Sequence, residues 1–186
     1  MTMSRALVFM AEGFEEIEAI TTIDVLRRGG VEVVTASISE SLEVKGAHGI
    51  VVKADGLASV AAMERYDAVI LPGGGLGTEN LGASELVIET LRRQKNYGGF
   101  ICAICAAPTV LVKANILEEG QHITCYPTCV MELDRPAAEA PVVEDRSVIT
   151  ARGPGSSLLF GLVILKALEG IETAKKVSRA MVTDIL

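Results

Sequence analysis

Segments typical of buried strands alternate with segments typical of amphipathic helices along this chain. The first pair is RALVFM (5–10), a continuous apolar run, followed by EEIEAITTIDVLRRGG (15–30), in which acids come first and arginines precede glycines. Charges in this order match the helix dipole, and glycine commonly ends a helix. Repeated β-α units predict an α/β fold in three layers, with a mostly parallel central sheet between two layers of helices.

The later elements follow the same alternation. Strands are predicted at 31–38, twice within 42–55, at 66–75 leading into a glycine turn, and at 100–104, 122–126, 140–144 and 147–151; helices are predicted at 84–99, 107–117, 155–170 and 171–186. Ligands of such folds bind at the carboxyl edge of the strands. The turns that follow strands are therefore where functional residues are expected.

Length and composition narrow the function classes. A chain of 186 residues suits one domain, here 1–186. A net charge of −7 and an aromatic content of 4 % make nucleic acid and anionic membranes poor partners. No apolar run approaches the roughly 18 residues that span a bilayer, and the first residues lack the pattern of a signal peptide. We therefore expect a cytoplasmic protein whose four cysteines are thiols.

The turn MAEGFEEIE follows the first strand and places three of its acids at the entry to the first helix. Glu15, Glu16 and Glu18 lie at the start of the predicted helix, where solvated acids commonly stabilise the dipole. A buried carboxyl in this position would have a raised pKa and could transfer protons near neutral pH. The sequence alone does not distinguish which of the three has that role.

The glycine turn LPGGGLG (71–77) follows a later strand. It matches neither the dinucleotide fingerprint, which needs a third glycine where Thr78 stands, nor a phosphate-binding loop, which needs a Gly-Lys-Ser/Thr sequence. Two interpretations stay open. The glycines make a tight turn that other residues do not tolerate, or their N–H groups point at a reacting oxygen.

The stretch GGFICAICAAPTVL (98–111) carries two cysteines. Cys102 lies within the predicted strand, whereas Cys105 lies at the junction with a helix, the position of a nucleophile elbow, where a lowered thiol pKa is expected. Three alternatives remain: a redox CxxC pair, a zinc site completed by Cys125 and Cys129, and a purely structural Cys105. In the turn TARGPGSS, Arg152 either binds an anion or pairs with a structural carboxylate, and the second is favoured.

The segments RALVFMAEGFEEIEAITTIDVLRRGG, DAVILPGGGLGTENL, AICAAPTVL and ITARGPGSS together resemble the ThiJ/PfpI superfamily, a class I glutamine amidotransferase-like group, and within it the parkinsonism-associated deglycase (DJ-one) branch. The resemblance covers almost the whole chain in order. It implies a flavodoxin-like sandwich that forms homodimers. It also implies glutathione-independent glyoxalase activity on methylglyoxal and glyoxal, with deglycase, chaperone and oxidative-stress roles attributed to members.

The resemblance also implies roles for individual residues. Cys105 matches the reactive cysteine, and Glu18 matches the protonated glutamate that hydrogen-bonds its sulfur. Gly74 and Ala106 match the positions whose N–H groups form an oxyanion-like pocket, and Arg152 lies in the RGPG motif beside the site. No metal and no organic cofactor is implied. The partners are then a small 2-oxoaldehyde, or its glycated adducts, and a second copy of the chain.

The sequence departs from the family pattern at two positions. Tyr126 stands where many members have a histidine, and a neutral tyrosine is a poor base near neutral pH. Ala106 stands where protease-like members have a histidine directly after the nucleophile. Neither His48 nor His122 is predicted near Cys105, and the absence of a Cys-His pair argues against proteolysis. Two hypotheses therefore remain: a glyoxalase in which Glu18 transfers the proton, and a redox sensor in which Cys105 stops at sulfinate.

Overall fold

Short strands and helices alternate through residues 3–183 and 185, the part of the chain that the computed structural model describes. The strands are β1 (Arg5–Met10), β2 (Glu32–Ser37), β3 (Glu43–Lys45), β4 (Val51–Lys53), β5 (Gly56–Leu57), β6 (Ala68–Leu71), β7 (Phe100–Ile104), β8 (Val142–Asp145) and β9 (Val148–Ala151). The helices are α1 (Glu16–Arg28), α2 (Ala58–Ala61), α3 (Gly75–Ala83), α4 (Glu85–Tyr97), α5 (Pro108–Lys113), α6 (Ser157–Glu169) and α7 (Ile171–Ala180). Short 3-10 helices cover Pro127–Glu132 and Pro154–Ser156.

The central sheet has seven strands in the order β5-β2-β1-β6-β7-β9-β8. All neighbouring strands pair in parallel except the edge strand β8, which runs antiparallel to β9. Strands β3 and β4 form a separate antiparallel hairpin. The mostly parallel sheet that the sequence predicted is thus confirmed.

Helices cover both faces of this sheet, and strand β1 shows how. Its alternating side chains enter two different cores: Val8 packs in the cluster that contains Phe160 of α6, and Phe9 packs in the cluster that contains Leu91 of α4. All four side chains are fully buried. Burial of such a side chain contributes about 1.5–3 kcal/mol, so the two aliphatic-rich cores hold the three layers together.

The strand predicted at 122–126 is wrong. The segment contributes only an isolated bridge between Ile123 and Ala137. Its neighbour β9 already pairs with β7 and β8, which leaves no free strand edge. The N–H of Thr124 instead donates to the side chain of Thr150, at 2.9 Å.

Other differences concern helices. Helix α3 was not predicted, because three of its nine residues are glycines, which have low helix propensity. The helix predicted to end at 117 ends at Lys113, shortly before Asn115 adopts a left-handed φ of 53°. The helix predicted to reach 186 ends at Ala180, and residues 184 and 186 lie outside the described residues. No helix in the described part of the chain is long and apolar enough to cross a membrane.

The connections place three turns at one edge of the sheet. The chain passes from β1 to β2 on one side and later returns to β6 on the other side of β1, so the strand order reverses between β1 and β6. In open α/β sheets the crevice at such a reversal is where ligands bind. The turns after β1, β6 and β7 meet there; the first leads into the start of α1 with Glu18, and the other two carry Gly73, Gly74 and Cys105.

Candidate active site

Cys105 occupies a sharp turn between strand β7 and helix α5. Its φ is 65°, a left-handed conformation that costs a non-glycine residue about 1–3 kcal/mol and is concentrated at functional sites. Three backbone hydrogen bonds hold the turn: Cys105 N–H to Ala151 O (2.9 Å), Ala107 N–H to Ile104 O (3.1 Å) and Tyr126 N–H to Cys105 O (2.7 Å). The sharp strand-to-helix turn predicted from the sequence is therefore present, with Cys105 at its bend.

Glu18 is the acid that the fold buries beside this turn. It lies in the first turn of α1 and has no exposed surface. Its Oε2 accepts a hydrogen bond of 2.8 Å from the N–H of Gly73, and its Oε1 has no partner that meets hydrogen-bond geometry among the described residues. Burial raises the pKa of Glu18 to about 7, although contact with the Cys105 thiol and the Gly73 N–H act in the opposite direction.

The other two acids have different surroundings. Glu16 is buried but faces the β3–β4 hairpin, where its Oε1 accepts the backbone N–H of His48 at 2.7 Å and its Oε2 lies 2.9 Å from the His48 ring nitrogen. Glu15 precedes the helix, and its N–H donates to Gly73 O at 3.0 Å. Burial and position thus select Glu18, a choice that residue type alone could not make.

Gly73 leaves the space in which Glu18 and Cys105 meet. A Cβ on Gly73 would lie 2.6 Å from Cys105 Cβ, 2.6 Å from Glu18 Oε2 and 2.8 Å from the carbonyl oxygen of Ile104. Any side chain here would separate the acid from the thiol. The run of three glycines is the only signal for Gly73 in the sequence, and it does not distinguish this glycine from its neighbours.

Gly74 and Ala106 surround the sulfur with backbone donors. Gly74 has a φ of 92°, and a Cβ there would lie 2.3 Å from Gly13 O, so only glycine fits. The N–H groups of Gly74 and Ala106 both lower the pKa of the Cys105 thiol by hydrogen bonding to the sulfur. The structure therefore brings together the two predicted pocket residues and Cys105.

The pKa of Cys105 differs from the sequence-based expectation. Burial and the negative charge of an ionised Glu18 raise the pKa of the thiol to about 12, and the two N–H groups only partly offset this. The sequence predicted that the helix N-terminus would lower the pKa of the Cys105 thiol. This prediction is wrong while Glu18 is ionised. A reactive thiolate near neutral pH requires that Glu18 keep its proton, because the repulsion is then absent.

The alternatives for Cys105 can be compared with the geometry. Cys102 is fully buried inside β7, and burial raises the pKa of its thiol strongly, so it does not resemble the first cysteine of a redox CxxC helix. All four cysteines are free thiols. Among residues 3–183 and 185, the one cluster with metal-ligand spacing is Glu15, Glu16 and His48, which contains no cysteine. The geometry does not support the cysteine zinc site.

Tyr126 and Arg152 border the site. The Tyr126 ring is partly exposed, and a Cβ built on Gly153 would lie 3.2 Å from Tyr126 Cδ2 and 4.0 Å from Cys105 Sγ, so ring and sulfur flank Gly153. Arg152 is exposed, and the ion pairs of the described residues do not include it. Its charge acts instead on Cys125, in a neighbouring pocket that both residues line. The favoured pairing of Arg152 with a structural carboxylate is therefore not seen among the described residues.

Comparison with known proteins shows the family to which the chain belongs. The model of the DJ-1/PfpI family matches residues 4–167. The chain belongs to the DJ-1/PfpI family. The Drosophila melanogaster protein dj-1beta is 38 % identical over 179 residues, which cover 95 % of each chain.

Two further relatives bear on function. A Caenorhabditis elegans protein named glutathione-independent glyoxalase DJR-1.2 is 37 % identical over 173 residues, 91 % of this chain and 90 % of that protein. The solved structure of oxidised Toxoplasma gondii DJ-1 superposes with a TM-score of 0.93 at 35 % identity, covering 97 % of this chain and 98 % of that one. The similarity confirms the flavodoxin-like α/β fold of the family.

Proposed function

We propose that this protein is a cysteine-dependent glyoxalase or deglycase that acts on 2-oxoaldehydes such as methylglyoxal and glyoxal, or on their adducts. The observation that carries the proposal is the contact between the buried Glu18 carboxyl and the Cys105 thiol, beside the N–H groups of Gly74 and Ala106. Nucleophile, proton carrier and oxyanion donors are the three groups that this chemistry needs. The name of the C. elegans relative supports the same reaction class.

The reaction starts at the sulfur of Cys105. The thiolate attacks the aldehyde carbon, and the N–H groups of Gly74 and Ala106 stabilise the oxygen of the resulting hemithioacetal. The protonated Glu18 first gives its proton to that oxygen, and the resulting carboxylate then removes the proton from the same carbon and returns it to the neighbouring carbon. The hydroxyl proton passes to the ketone oxygen, so the ketone becomes a hydroxyl and the hemithioacetal becomes a thioester. One water then hydrolyses the thioester, releasing a 2-hydroxy acid and the free thiol. This series of reaction steps is redox-neutral, and besides the 2-oxoaldehyde it needs only this chain and one water.

Tyr126 and Arg152 are proposed to shape the entrance. The Tyr126 ring beside Gly153 limits the space above the sulfur, which favours a small aldehyde. The Arg152 guanidinium lies on the RGPG turn after β9 and attracts carboxylates toward the same edge of the sheet. Proton transfer remains with Glu18, because a neutral tyrosine is a poor base near neutral pH.

Lactate formation from methylglyoxal without glutathione tests the proposal. Wild type and Cys102→Ala are expected to turn over, whereas Cys105→Ala and Glu18→Gln are expected to lose at least about 100-fold in rate. Cys102→Ala is the matched control because Cys102 is also a buried cysteine, but it lies within β7, before the turn that carries Cys105. Unchanged turnover in Cys105→Ala would disprove the assignment.

A redox sensor is the second candidate function, and the backbone donors at the sulfur favour it too. The Cys105 thiolate would consume two molecules of hydrogen peroxide, giving sulfinate and two waters. The N–H groups of Gly74 and Ala106 would then stabilise the sulfinate oxygens. Peroxide titration with intact-mass analysis distinguishes the candidates: a sensor gains two oxygens at Cys105 and shows no lactate formation.

We also propose a homodimer, formed by an apolar surface on α1 and the β3–β4 hairpin. Ile17, Ile20, Ile50 and Val51 are exposed there, and the two elements adjoin because Glu16 Oε1 accepts the Ile50 N–H at 3.4 Å. Equilibrium sedimentation is expected to give a dimer for the wild type and a monomer for Ile20→Glu.

The free thiols support the proposed cytoplasmic location, since such thiols are typical of reducing compartments.

A further inference from the structure

Two cysteines outside the nucleophile elbow lie close together in the segment Cys-Tyr-Pro-Thr-Cys, at 125–129. Cys125 and Cys129 are both buried, and both are free thiols. Neither has a part in the proposed turnover. The residue that follows Cys125, however, is Tyr126, which borders the candidate active site.

The carbonyl oxygen of Tyr126 joins the two cysteines. It accepts a hydrogen bond from the Cys125 thiol at 3.3 Å and another from the backbone N–H of Cys129 at 2.9 Å. Pro127 begins the 3-10 helix Pro127–Glu132 immediately afterwards, and its fixed φ holds the turn. The fold thus bends this short segment so that the first thiol and the backbone of the last residue meet at one oxygen.

The surroundings of Cys125 indicate that Cys129 lies close to it and that a small reagent has access to it. A negative charge on Cys129 raises the pKa of the Cys125 thiol, after burial, which is the larger cause, and the charge of Arg152 acts in the opposite direction. Cys125 and Arg152 also line a pocket of about 190 Å³ at the surface, together with Thr124 and Glu139. A small anionic reagent can therefore approach Cys125 on the side where the guanidinium lies.

We propose that Cys125 and Cys129 form a reversible intramolecular disulfide by exchange with a small disulfide such as oxidised glutathione. The Cys125 sulfur attacks the reagent and releases one thiol, leaving a mixed disulfide. The Cys129 sulfur then attacks the Cys125 sulfur of that bond and releases the second thiol. Two protein thiols are oxidised, one small disulfide is reduced to two thiols, and the protons of the cysteines leave with the released thiols.

The disulfide would act on the wall of the active site. Tyr126 lies between the two cysteines, its N–H holds the carbonyl oxygen of Cys105 at 2.7 Å, and its ring flanks Gly153. Closing the bridge fixes the backbone on both sides of Tyr126. The Cys125–Cys129 pair thereby makes the backbone at Tyr126, which borders the site of Cys105, depend on the ratio of thiol to disulfide in solution. Cys105 itself is not oxidised.

The test uses full-length Cys105→Ala, with Cys105→Ser as a second background in case the alanine variant folds poorly. Each is equilibrated in buffers of reduced and oxidised glutathione, quenched by alkylation and digested with trypsin. The peptide 114–146 contains Cys125 and Cys129 and no other cysteine. In oxidising buffer we expect this peptide to lose two hydrogens and two alkylation sites, and to regain both after dithiothreitol.

Two matched variants complete the design. Adding Cys125→Ser or Cys129→Ser must abolish the loss of two hydrogens, leaving at most one glutathione adduct on the remaining cysteine. Equilibrium ratios are measured rather than rates, because burial raises the pKa of Cys125 to about 11 and makes exchange slow. A stable glutathione adduct with both cysteines present, a bond from either cysteine to Cys102, or two free thiols in the most oxidising buffer would each overturn the proposal.

Discussion

The buried carboxyl of Glu18 lies in contact with the thiol of Cys105, and the donors around the two groups decide which of them carries a negative charge more easily. With the charge on Glu18, Oε2 has the Gly73 N–H, Oε1 has no partner of good geometry, and the N–H groups of Gly74 and Ala106 face a neutral thiol. With the charge on sulfur, the N–H groups of Gly74 and Ala106 donate to the thiolate, and the protonated Glu18 carboxyl is a further donor to it. A buried charge needs donors, so the second arrangement is favoured.

Titration of the thiolate absorbance tests this placement of the charge. In the wild type we expect the Cys105 signal to appear at or below about pH 7, the pKa to which burial raises Glu18, because the pair loses its first proton from sulfur. In Glu18→Gln the amide is a weaker donor than the acid, so the pKa of the thiol should rise modestly. The signal is read as the difference from Cys105→Ala.

The opposite result has a distinct signature. If the charge resides on Glu18, the wild-type signal appears only near pH 12, where burial and the carboxylate place the pKa of Cys105. Glu18→Gln then removes that repulsion and lowers the pKa of the thiol instead of raising it. The sign of the change in one variant therefore decides between the two arrangements.

Gly73→Ala should inactivate the site, whereas Gly75→Ala should not. The new Cβ at 73 meets Cys105 Cβ and Glu18 Oε2, both at 2.6 Å, so the acid and thiol must separate, at about 1–3 kcal/mol of stability. A Cβ at 75 meets no atom within 4 Å, and Gly75 begins α3, where alanine adds up to about 1 kcal/mol. Lactate rates and thermal unfolding of both variants check this, and an active, fully stable Gly73→Ala would contradict it.

The sequence predicted the fold and the elbow because both depend on local patterns. Apolar runs and helix-end charges identified β1 and α1, and the small residues after Cys105 marked the bend. It could not choose Glu18 among three acids, because burial arises only when the turn carrying Gly73 packs against α1. It also could not predict the pKa of Cys105, since the dominant cause is desolvation by residues distant in the chain.

Tyr126→Phe should reduce turnover by less than about tenfold, because removal of a true acid-base group costs about 10²–10⁴-fold. Phenylalanine keeps the ring beside Gly153 and removes only the hydroxyl. Tyr126→Ala removes the ring, so iodoacetamide should alkylate Cys105 faster than in the wild type. A loss of 100-fold or more in Tyr126→Phe would transfer the proton-carrying role from Glu18 to Tyr126.

Glu16 and His48 should make the attachment of the β3–β4 hairpin to α1 depend on pH. Burial alone would raise the pKa of Glu16, but hydrogen bonds from the His48 ring and from backbone N–H groups, including that of Ile50, outweigh it and hold the pKa below its ordinary 4.5. The hydrogen bond to Glu16, followed by the charges of Glu15 and Glu16, raises the pKa of His48 above its ordinary 6.5.

The directions of these two pKa shifts define the pH range in which the β3–β4 hairpin is held most firmly to α1. The contribution of Glu16 is complete above pH 4.5 and is lost as the pH falls through its lowered pKa, whereas that of His48 is complete below pH 6.5 and is lost as the pH rises through its raised pKa. Amide exchange at His48 and Ile50, corrected for its intrinsic pH dependence, should therefore be slowest between these values. Glu16→Gln should speed it roughly tenfold and flatten the profile, because its amide oxygen is a weaker acceptor than a carboxylate. His48→Asn should remove only the loss of amide protection at high pH. A wild-type exchange rate that does not vary with pH would show that the Glu16–His48 pair does not hold the hairpin.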